Sequence, residues 1–74
     1  RAIHFFNLRL SDIAEDLERL FGVKTVILDE KLAETRYFAL FTNNESLDQI
    51  LKGIDMEDQM VFNRKENVIY ISRK

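Results

Sequence analysis

Seventy-four residues leave room for one domain around one small core. Hydrophobic residues at 46% and charged residues at 32% describe an ordinary globular chain, with no apolar run near the ~18 residues of a bilayer span. A net charge of −2 with dispersed Lys and Arg argues against nucleic acid as a partner, and the lack of cysteine removes disulfides and thiolate metal sites.

Ile3–Leu8 is aromatic and apolar and reads as a first strand. Leu10, Ile13, Ala14, Leu17 and Phe21 then follow helical spacing. Asp12, Glu15, Asp16 and Glu18 fall on the other side and form the one dense charge cluster, read as the solvated face of that helix. Gly22 stands just past the last periodic residue, where a left-handed C′ residue belongs. Val23–Leu28 is β-branched and reads as a second strand, followed by a polar link, Asp29–Glu34, with room for a single helical turn.

Arg36–Thr42 is the third strand. Asn43 to Ser46 is turn chemistry, and Ser46–Ile54, with its Leu47, Ile50 and Leu51 stripe, reads as the second helix. Ser46 with Gln49 three residues on fits a capping box. Gly53 weakens the last turn. After the acidic connector Asp55–Asp58, Gln59–Asn63 and Val68–Ser72 read as a closing pair of strands joined by an Arg64–Asn67 loop. Asn7-x-x-Leu10-x-x-Ile13-Ala14 matches Asn44-x-x-Leu47-x-x-Ile50-Leu51, so the halves look alike. The expected class is α+β in the order βαβ-βαββ.

Taken together, the strand with N-x-x-L-x-x-I, then L-E-R-L-F-G-V-K-T-V-I-L-D at Leu17–Asp29, F-T-N-N-E-S-L-D-Q-I-L at Phe41–Leu51 and the closing V-I-Y-I resemble the C-terminal domain of FecR-type anti-sigma factors. More distantly they resemble the secretin and TonB short N-terminal domain. The resemblance spans nearly the whole chain, and its motifs specify a fold better than a chemistry. It implies two helices packed between a two-stranded and a three-stranded sheet. It implies the periplasmic domain of a single-pass inner-membrane protein. The partners would be the signalling domain of an outer-membrane TonB-dependent transporter and, through another part of the protein, a sigma factor. The domain itself would make no direct membrane contact. The rival is a signalling or assembly module at the N-terminus of a transporter or secretin. Arg9 and Ser46 stand where such relatives commonly carry proline. Residues 1–74, beginning at Arg1 with no visible signal peptide, read as one domain cut from a longer membrane-anchored chain.

The residues suggest no enzyme and no cofactor. His4 is the single histidine and reads as a half-exposed strand residue. Ser11 and Ser46 occupy helix-start positions that favour caps. The acids Asp29, Glu30, Asp55, Glu57 and Asp58 lack calcium-loop spacing. Met56, Met60 and Phe62 are expected in the core. The third strand is apolar at both parities. Arg36, Tyr37, Ala39 and Phe41 are the expected partner-binding residues, since a strand edge offers backbone groups to another chain. The competing assignment turns Tyr37 and Phe41 inward and Phe38 and Leu40 outward.

Overall fold

A computed structural model describes residues 2–74. The chain runs β1 (Ile3–Arg9), α1 (Leu10–Phe21), β2 (Lys24–Ile27), α2 (Glu30–Glu34), β3 (Arg36–Phe41), α3 (Leu47–Ile54), β4 (Met60–Lys65) and β5 (Val68–Arg73). β1 and β3 form a two-stranded antiparallel sheet. The other sheet has the order β2-β5-β4, with β2 parallel and β4 antiparallel to β5. The two halves therefore do the same thing. Each leaves a strand of the small sheet, turns one long helix, and enters the larger sheet, where β5 closes the gap between β2 and β4. The α+β class and the two sheet sizes agree with the expectation.

α1 forms because Leu10, Ile13, Ala14 and Leu17 share one face, and all four are buried. Gly22 ends it at φ 65°, its amide donating to the Glu18 carbonyl at 2.9 Å. Ser11 is not the cap. Arg9 holds that position without a side-chain bond, and Ser11 lies inside the first turn.

α3 starts as its sequence dictates. The Gln49 amide donates to Ser46 Oγ at 3.2 Å, and the Ser46 amide donates to Gln49 Oε1 at 2.8 Å. Ser46→Ala should cost about 1 kcal/mol, read as a lower denaturation midpoint with an unchanged slope. An unchanged midpoint would mean that the cap contributes nothing.

The matched asparagines share a backbone conformation. Asn7 has φ 58° and Asn44 has φ 52°, the left-handed region that asparagine tolerates better than most residues. At Asn7 this produces a bulge, where the β1–β3 register shifts between Phe6 and Leu8. The repeat therefore marks two left-handed residues that each precede a helix.

The polar link forms the short helical turn it has room for, α2: Asp29 Oδ1 accepts the Leu32 amide at 2.8 Å, and Leu32 is buried. Two expectations change. The closing hairpin is tighter than expected, because β4 extends to Lys65, which pairs with Val68 across Glu66 and Asn67. One core joins both sheets and all the helices, with Phe5, Ile13, Leu17, Leu32, Ile50 and Ile71 among its buried members. Met60 is in that core and Phe62 packs against it, whereas Met56 is 84% exposed in the turn after α3.

Candidate partner-binding surface

Strand residues alternate between faces, so one packed residue decides the whole strand. In β3 that residue is Phe41, which is 7% exposed. Its ring meets Phe5 edge-on at 6.4 Å. It also lies over Gly53 of α3, where an added Cβ would sit 2.6 Å from its Cε1. Ala39 and Tyr37 share that face and are partly buried. Three of the four expected partner-binding side chains, Tyr37, Ala39 and Phe41, therefore point toward the core. Arg36 alone is exposed.

The opposite face of β3 is outward. Phe38 is 66% exposed and Leu40 59% exposed. Register carries this face across to β1: Phe38 pairs with Phe6, itself 59% exposed, and Leu40 pairs with His4. His4 lies against the Phe6 ring, with 4.9 Å between centroids. The result is a contiguous apolar surface with aromatic rings at its centre, the composition that interface cores favour. Arg9 and Arg36 pair at one end of it. Arg9 is held by Asp12 at 3.1 Å and Glu34 at 3.4 Å. Arg36 donates to the Asn7 carbonyl at 2.8 Å and meets no carboxylate among the described residues. The larger sheet also exposes apolar groups, Val26 at 38%, Val61 at 41% and, bonded to β5 just past the end of β2, Leu28 at 63%, but without an exposed aromatic ring.

Beside Arg36 and Phe38 lies a groove of about 470 Å³, bounded by Tyr37, Ile54, Met56 and Arg73. Burial raises the Tyr37 phenol above its ordinary pKa, with Asp55 adding to the effect. One wall is fixed by a contact the sequence did not announce. Arg73 donates to both Asp29 carboxylate oxygens at 3.0 Å, tying the end of β5 to the start of α2. That fork and the Leu32 amide hold the Asp29 carboxyl at about 2. The shift is downward, so the stability it confers is complete above the ordinary carboxylate pKa and is lost as pH falls through about 2. Asp29→Asn should lower Tm near neutral pH, and the gap to the native chain should close toward pH ~2. A constant gap over that range would show that the ionised form is not what matters.

The acidic cluster of α1 is largely engaged. Glu18 accepts the Thr25 amide at 2.8 Å and its hydroxyl at 2.9 Å, which lowers the Glu18 pKa. Asp12 meets Arg9, and Asp16 meets Arg19. Asp55 spends both oxygens on the Gln59 and Met60 amides, shaping the connector to β4. No cluster of metal-ligating side chains occurs among the described residues.

This arrangement defines a class: a small α+β module of two βαβ halves, with an apolar ribbon face left uncovered. The family is equally plain, since the model of the FecR C-terminal domain matches residues 2–71, and the chain belongs to that family. Among solved structures, the fold is similar to that of a Parabacteroides distasonis protein assigned as an anti-sigma factor. That likeness has a TM-score of 0.85 at 19% identity and covers 99% of this chain but 34% of the other. No curated protein matches significantly. None of the described helices is long and apolar enough to cross a membrane.

Proposed function

We propose that this domain is the signal-receiving end of an anti-sigma regulator. It stands in the periplasm, on a protein anchored in the inner membrane. It binds the short N-terminal signalling domain of an outer-membrane TonB-dependent transporter and relays that contact to a sigma factor held by another part of the regulator. The domain works by binding rather than by catalysis.

Membership of the FecR C-terminal family supports the regulator reading over the transporter or secretin module. The observation that carries the binding role is the uncovered ribbon face: Phe6, Phe38 and Leu40, each more than half exposed, in adjacent cross-strand positions. Adding the purified transporter signalling domain to the isotope-labelled chain should shift amides in Ile3–Arg9 and Arg36–Phe41. Shifts confined to Val68–Ser72 or to the acidic face of α1 would place the contact elsewhere. No shifts at all would remove this partner.

A further inference from the structure

Four strand edges are open in the two sheets. Three are blunted in the ways by which proteins avoid unwanted pairing. The bulge at Asn7 breaks β1. β2 is four residues long. β4 runs out into exposed Arg64 and Lys65. β3 is different: six residues, no proline or glycine, and a single charge at its first position.

The backbone of β3 is aimed by a single bond. The Leu10 amide donates to the Thr35 carbonyl at 2.9 Å, so that carbonyl faces β1, while the Thr35 amide closes α2 on the Leu32 carbonyl at 3.2 Å. Successive strand residues direct their backbone polar groups to opposite sides. Those of Tyr37 and Ala39 therefore serve the ladder with β1, and those of Arg36, Phe38 and Leu40 face the open side. The same three residues carry the outward side chains. At the Arg36–Phe38 end the groove leaves room for another chain. Asp55 and Glu57 line the same groove farther along, so charge selects the occupant at Arg36 itself. Arg9, Arg19 and Arg73 each meet a carboxylate; among the described residues Arg36 and Arg64 meet none, each donating to a backbone carbonyl instead, and of the two Arg36 lies on β3.

We infer that β3 accepts an extended segment of the partner as a third strand of the β1–β3 sheet, with apolar residues at alternate positions beside Phe38 and Leu40 and a carboxylate facing Arg36. A two-stranded ribbon is the sheet that gains most from a third strand. Backbone bonds would supply affinity, and the outward side chains with Arg36 would supply selectivity. The inference rests on the reading of this ribbon as the partner-binding surface, but not on which protein brings the strand.

The test uses the isotope-labelled chain and two ten-residue peptides of alternating valine and threonine, one with a central Glu and one with a central Lys. The Glu peptide should slow hydrogen exchange at the Arg36, Phe38 and Leu40 amides and leave Tyr37 and Ala39 as they were. At low salt it should bind about threefold to fivefold tighter than the Lys peptide. Arg36→Glu should reverse that order. Leu40→Pro removes an open-side amide but no bond to β1, so it should abolish peptide binding. If Leu40→Pro fails to fold, the reversal by Arg36→Glu decides alone. No protection of the three amides at millimolar peptide, or protection at β2 or β4 instead, would overturn the strand site. So would protection that grows with the concentration of the domain alone, which would make a second copy the occupant. A transporter domain that fails to bind while the Glu peptide binds overturns the relay and leaves the strand site standing. A transporter domain that binds without slowing these three amides does the reverse.

Discussion

Leu51→Ala should destabilise the domain by about 2–5 kcal/mol. Leu51 is 3% exposed, in the same core as Ile50, Leu47, Leu10, Ile13 and Leu17. Truncation removes buried methyl groups and leaves a cavity into which the surrounding core collapses only in part. Small domains hold only a few kcal/mol in total, so this one change would leave a large unfolded fraction at room temperature. Chemical denaturation measures it. A midpoint within error of the native one would mean that the buried face of α3 has been misplaced.

Gly53→Val should cost about 1–3 kcal/mol by overpacking. Propensity points the other way, since valine is a better helix residue than glycine. Any loss is therefore steric, and the obstacle is specific: a Cβ at position 53 falls 2.6 Å from Phe41 Cε1. That ring is buried and set edge-on against Phe5, so it can retreat only by disturbing a second aromatic. Pairing Gly53→Val with Phe41→Leu should recover part of the loss, because the shorter side chain vacates the contact. A stabilised Gly53→Val single variant would show that the ring moves freely and that nothing holds α3 close to β3.

These two residues also explain what could be read from the sequence. Helical spacing in Leu10–Phe21 and Leu47–Ile54 and the Ser46–Gln49 box are local signals, and both helices stand where those signals put them. The division into two small sheets followed from the resemblance to the FecR C-terminal domain, whereas the repeated order of elements showed only that the halves are alike. The outward face of β3 was not legible. Tyr37, Ala39 and Phe41 on one side and Phe38 and Leu40 on the other are both apolar sets, so alternation alone does not choose between them. What breaks the tie is the bare backbone of Gly53, twelve positions beyond Phe41 in sequence and in contact with its ring in space. The alternate, outward set then becomes the candidate surface.

α2 was legible as no more than a single turn: Asp29 and Leu32 are a cap and a buried anchor three residues apart, but five residues are too few to show a helical period. The Asp29–Arg73 fork spans 44 positions, and nothing local announces it. The strand ends at Arg64 and Lys65 were hidden because edge strands carry charges that resemble a loop. Asn7 and Asn44 were visible as a repeat that follows a strand and opens a helix. Their shared left-handed backbone emerges only from the fold.

The inward turn of Ala39 changes how the surface should be probed. Lysine at position 39 would enter the partly buried face and disturb folding. Leu40→Lys puts the same charge on the outward face, where Leu40 is 59% exposed, and should leave Tm unchanged. Val61→Lys is the matched control on the other sheet, at 41% exposure. The decisive measurement is the affinity of the three chains for the transporter signalling domain by titration calorimetry. Docking on the ribbon face predicts at least a ~10-fold loss for Leu40→Lys and native affinity for Val61→Lys. Native affinity for Leu40→Lys with a comparable loss for Val61→Lys would contradict it and move the docking surface to the three-stranded sheet.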